Sequence, residues 1–113
     1  MKKILWVSAH QPIAVQLNAL SRLFGEVTIE KLIGWTSAES IVERFSSEGF
    51  DEMVIVAPLS VIAKVLEKGV KPLWAQMEQQ PSKEGADLEY RGRFFKFVEF
   101  RRIERVALEF GNI

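Results

Sequence analysis

The chain has 113 residues, 48% hydrophobic and 27% charged, with fifteen basic residues balanced by fifteen acidic ones. That length fits one domain over residues 1–113, and a net charge of zero excludes general nucleic-acid binding through the whole surface. The lack of cysteine and the single histidine exclude disulfides, thiolate chemistry and a conventional zinc site, so neither a metal nor a cofactor is expected.

Met1-Lys2-Lys3 leads directly into the apolar run Ile4-Leu5-Trp6-Val7, which breaks at Ser8-Ala9-His10-Gln11-Pro12. This pattern predicts a buried strand that delivers polar side chains to the carboxyl edge of a parallel sheet. With no secretory signal before it, and no apolar stretch near the roughly 20 residues that span a bilayer, a cytoplasmic protein without a membrane partner is expected.

After Pro12, Ile13, Leu17, Leu20 and Phe24 recur at helical spacing up to Gly25, with Ala14, Gln16, Asn18 and Arg22 on other faces. Glu26 to Leu32 alternates as a half-buried edge-side strand does. Thr36-Ser37-Ala38-Glu39 has the form of a capping box, and the helix it opens runs from about Ser37 to Ser47 with Ile41, Val42 and Phe45 as its apolar stripe.

Asp51 to Ala57 is a polar entry to a continuous apolar run, the pattern of a central strand covered on both faces. Pro58 suits a first helical turn, Val61, Ile62, Val65 and Leu66 supply the packing face, and Gly69 supplies the stop. Val70 to Met77 reads as a fourth strand pairing beyond Pro72, and Glu78 to Ala86 as an exposed loop. Around Arg91-Gly92-Arg93, Asp87 to Tyr90 and Phe94 to Val98 read as a β-hairpin whose second strand runs to about Arg101.

The predicted fold is α/β: a three-layer, Rossmann-like, mainly parallel sheet flanked by helices, with a C-terminal β-hairpin extension. Leu5, Val7, Leu17, Leu20, Val54, Ile55, Val56, Ile62 and Leu66 are its expected core. Right-handed crossovers bring Ser8, His10 and Gln11 to the same sheet edge as Ser60 and Gln76. Ser60, at a helix N-terminus, either caps that helix or helps hold a phosphate. No glycine-rich phosphate loop and no nucleophile elbow follows any strand, which disfavours a dinucleotide dehydrogenase, an ATPase or a serine hydrolase.

His10 is the one side chain poised for acid or base work near neutral pH, and it reads equally as a loop-capping residue. The last quarter interleaves Arg91, Arg93, Lys96, Arg101, Arg102 and Arg105 with five aromatics. Most of these read as core residues or as cations paired with Glu99, Glu104 and Glu109, leaving Arg91 and Arg93 in an exposed turn as phosphate contacts.

His10 with Gln16 beyond it, the phrase Leu66-Glu67-Lys68-Gly69-Val70-Lys71-Pro72-Leu73-Trp74-Ala75 and the phrase Arg93-Phe94-Phe95-Lys96-Phe97 together give the chain its likeness to known proteins. It resembles the small stand-alone members of the CRISPR-associated Rossmann-fold (CARF) group, especially the ring-nuclease-like ones. It departs from them at Ala57-Pro58-Leu59-Ser60, where a glycine-containing turn is expected, and at Ala9, where a polar residue is. The resemblance implies a homodimer in antiviral defence that binds cyclic oligoadenylate across its two-fold axis. For such a ligand, the sheet-edge residues Ser8, Gln11, Ser60 and Gln76 and the turn residues Arg91 and Arg93 are the expected contacts, and His10 is the expected catalytic residue if the ring is cleaved by its own 2′-hydroxyl. The alternative is a non-enzymatic nucleotide sensor or protein-interaction module of the same fold.

Overall fold

The computed structural model describes residues 1–107 and 109–113. Strand β1 (Lys2–Val7) lies inside the sheet between β2 (Val27–Leu32) and β3 (Glu52–Ile55), parallel to both. Alternation sends Ile4 and Trp6 to one face of the sheet and Leu5 and Val7 to the other, and all four are buried because both faces are covered. Helix α1 (Ala14–Phe24) covers the first face, with Leu20 packed among Ile4, Trp6, Val54, Leu73, Phe97 and Phe100. Helices α2 (Ala38–Ser47) and α3 (Leu59–Glu67) cover the second, where Ile41, Ile62 and Val65 meet Leu5, Val7, Met53 and Ile55.

Strand β4 (Leu73–Gln80) follows β3 in parallel, then β6 (Arg93–Arg102) and β5 (Leu88–Tyr90) complete a six-stranded sheet ordered β2-β1-β3-β4-β6-β5. The last two pairings are antiparallel, so the sheet is mixed. The first four strands have the 2-1-3-4 order of a doubly wound sheet, with its switch point between β1 and β3. The hairpin is more than an appendage, because β6 runs between β4 and β5 and supplies Phe97 and Phe100 to the α1-side core. Two of the aromatics in the last quarter of the chain are thus spent inside the molecule.

Several expectations are corrected. Val56 is 55% exposed because β3 ends at Ile55, where the chain leaves the sheet for α3. Leu17 is 39% exposed, and Gln16 is buried in its stead, since the core-facing stripe of α1 passes through Gln16 and Leu20. Leu66 is only partly buried against the α2/α3 core. The cap of α2 is Ser37, whose Oγ accepts from Ser40 N while Ser40 Oγ accepts from Ser37 N, so the Thr36 to Glu39 box is displaced by one residue. Glu78 to Gln80, expected in a loop, extend β4, because Phe94 to Lys96 stand opposite them as partners.

Candidate ligand site at the end of β1

The polar cluster after β1 folds back on itself. Ser8 is buried, and its Oγ accepts the backbone N–H of His10 at 3.1 Å. From the α1-side core, Trp6 donates its indole N–H to the His10 carbonyl at 2.8 Å. The backbone of His10 is thus held on two sides while its side chain remains exposed. The imidazole packs edge-to-face on Tyr90, with ring centroids 4.9 Å apart at 89°.

Tyr90 ends β5, four places from β1 in the strand order. A flat sheet would separate those strands by roughly 19 Å at about 4.8 Å per strand, so the contact requires the β4-β6-β5 ribbon to curl over the α1 side. Gln16 braces that curl at the first turn of α1: its Oε1 accepts from Ile13 N at 3.0 Å and its Nε2 lies 3.8 Å from Sδ of Met77 in β4. The hairpin tip is Arg91-Gly92, with φ of +51° and +75°, the backbone of a two-residue type I′ connection. Arg91 then folds over Tyr90, its guanidinium carbon 5.2 Å from the ring centroid, and Arg93 stands opposite Tyr90 in the ladder. Among the described residues, neither Arg91 nor Arg93 forms an ion pair.

Ser60 lies elsewhere. It lines a hollow of about 230 Å³ between the starts of α2 and α3, with Trp35, Thr36, Ser37, Glu39 and Lys64, on the α2/α3 side of the sheet. That hollow already contains an anion. Backbone hydrogen bonding at the start of α2 holds the Glu39 carboxyl below its ordinary range, against desolvation and with help from Lys68, Lys64 and Ser37. The residues expected around one pocket therefore divide. His10, Arg91 and Arg93 gather with Tyr90 beneath the hairpin, and Gln11 is exposed beside His10. Ser8 supports the loop from behind. Gln76 precedes Met77 on β4, where alternation turns it to the other face, with its Oε1 buried and without a hydrogen-bond partner.

Sequence reasoning missed three members of this arrangement. In the sequence Tyr90 reads as one of the packing aromatics, Trp6 as core, and Gln16 as a residue off the buried stripe. Only Gln16 had a local signal: a glutamine three residues after the position preceding a helix reaches back to cap it. No three His, Asp or Glu side chains among the described residues cluster as metal ligands would. No family model matches this chain, and neither a curated protein nor a solved structure shows significant similarity to it.

Proposed function

We propose that this chain is a cytoplasmic, homodimeric binding protein for a cyclic oligoadenylate, seated beneath the β5-β6 hairpin against the loop that follows β1. The observation that carries this reading is the edge-to-face contact of His10 with Tyr90, capped by Arg91. It puts two rings able to stack on bases beside a guanidinium with no carboxylate partner among the described residues, and Arg93 stands directly opposite Tyr90 in the ladder. The location supports the same reading, because doubly wound sheets bind ligands beyond the carboxyl ends of their strands near the switch point. A symmetric ring suits a two-fold pair of such sites, and the ring itself is the ligand that the resemblance of the sequence implies.

Binding without turnover is the form this reading takes. Ser60 lies on the α2/α3 side, so His10 and Ser60 do not act on one phosphate. The ring-nuclease form depends on His10 alone, as the acid or base for attack by the ligand's own 2′-hydroxyl.

Calorimetric titration with cyclic tetra-adenylate, paired with chromatography for linear products, tests both forms. Saturable binding without linear product is expected. Tyr90→Ala and His10→Ala should each weaken binding by about tenfold or more, as loss of base stacking does. Linear product that disappears in His10→Ala while binding persists would establish the nuclease. Absence of saturable binding, or identical binding by both variants, would remove the site.

A further inference from the structure

We infer that Glu109 and Phe110, in the C-terminal segment of one copy of this chain, seat in the groove between α1 and β6 of a second copy, and that the two copies make this exchange reciprocally. Phe110 fills the groove and Glu109 pairs with Arg22. The inference rests on the assembly of two copies proposed above and supplies its contact.

Helix α1 carries a second stripe beside its buried one, with Val15, Ala19, Arg22 and Leu23 at i, i+4, i+7 and i+8. Together with Phe97 and Phe100 of β6, this stripe bounds a groove of about 380 Å³ in which Val15 and Leu23 remain 36% and 57% exposed. The charge of the groove is Arg22, which forms no ion pair among the described residues. Glu99 lies at the rim, but it is the ladder partner of Gln76, one place before Met77 of the α1-side core. Alternation therefore turns its side chain to the other face of the sheet.

The chain itself supplies an occupant. Beyond β6, Ile103 and Val106 pack on the α2/α3-side core. Past that anchor Phe110 is 90% exposed, and Glu109 beside it forms no ion pair among the described residues. An aromatic next to a carboxylate matches an apolar groove that carries one guanidinium. The match is to another copy. From Val106 to Phe110 the chain reaches at most about 14 Å, whereas the groove lies across the sheet in a molecule 25 Å through at its thinnest. Exchange of an identical segment closes a pair about a two-fold axis, so each contact occurs twice.

Sedimentation velocity on the full chain compares wild type with Phe110→Ala, Arg22→Glu and Glu109→Arg. Wild type should dimerise at micromolar concentration. Each substitution acts at both contacts and should weaken association by about tenfold or more. An equimolar mixture of Arg22→Glu and Glu109→Arg sets opposite charges at both contacts and should associate to within a few-fold of wild type. Neither misfolding nor docking of the segment on its own copy would produce that recovery. Wild type monomeric at about 100 µM, any of the three variants dimerising like wild type, or a mixture no stronger than its components would each overturn the inference. Titration of the same samples with cyclic tetra-adenylate separates the two proposals. A dimer with these effects that ignores the nucleotide sinks the ligand alone, and a monomer that binds it sinks this contact alone.

Discussion

The indole N–H of Trp6 and the carbonyl oxygen of His10 are 2.8 Å apart, so a side chain in the α1-side core sets the backbone of the exposed site loop. The same indole meets Phe100 edge-to-face at 6.3 Å, which ties that loop to β6 as well. Trp6→Phe removes the donor and keeps most of the packing, and should cost about 1 kcal/mol. Trp6→Ala should cost roughly 3–5 kcal/mol. Urea unfolding measures both, and near-equal losses would show that the hydrogen bond dominates over the ring.

Gln16 has a similar double duty, as acceptor for Ile13 N and as neighbour of Met77. Gln16→Leu leaves the Ile13 amide without its partner in a half-buried setting and should destabilise the chain by about 1–2 kcal/mol. Leucine is the more hydrophobic residue at this 7% exposed position, so a stabilised variant in the same unfolding assay would refute the capping role.

Gly92 occupies left-handed backbone at φ +75° with open space where a Cβ would stand, so conformation alone opposes a side chain there. Gly92→Ala should cost roughly 1–2 kcal/mol. The penalty should fall on the hairpin and, by displacing Tyr90 and Arg91, weaken the proposed nucleotide binding. A variant as stable as wild type in thermal unfolding would show that the turn has other accessible forms.

The segment after β6 is held by packing of Ile103 and Val106 on the α2/α3-side core, by one backbone hydrogen bond and by an exposed ion pair. Ile103 N donates to Pro72 O at 2.9 Å, and next to it Lys71 Nζ donates to Glu104 Oε2 at 2.8 Å. That hydrogen bond, then the ammonium charge, with a smaller part from Arg102, holds the Glu104 carboxyl below its ordinary 4.5. A carboxylate depressed in the folded state adds stability above the unfolded pKa and loses it as pH falls through the folded value. Hydrogen exchange at the Ile103 amide should therefore be slightly faster in Glu104→Gln than in wild type at pH 7, with the difference shrinking as acid protonates the Glu104 carboxylate. A difference undiminished in acid would exclude the ion pair as its cause.

Local pattern was enough to locate β1, the three helices, β3 and a C-terminal hairpin, though not its type I′ turn. The runs Ile4 to Val7 and Met53 to Ile55 are buried on both faces, as their continuous apolar character implies. Pattern failed where a long-range partner decided. Val56 continues an apolar run but has left the sheet, and Glu78 to Gln80 read as loop until Phe94 to Lys96 provide a strand opposite them. The site divided along the same line. The loop of Ser8, His10 and Gln11 was legible because it ends a strand. The arrival of Tyr90 was not, because it depends on how a ribbon assembled from distant segments curls.

Strands β3 and β4 meet at one register pair, Val54 with Leu73. Few ladder hydrogen bonds therefore cross from the parallel half of the sheet to the antiparallel half. Cohesion between the halves falls instead to side chains, chiefly Phe97 and Phe100 against Ile4 and Trp6. Such a junction behaves as a seam. Side-chain packing, with the ion pair of Arg102 in β6 to Glu52 in β3, therefore sets how the antiparallel half sits against the parallel one. Conservative core substitutions at the seam, such as Phe97→Leu, should then shift the spacing of Tyr90 and His10 from a distance.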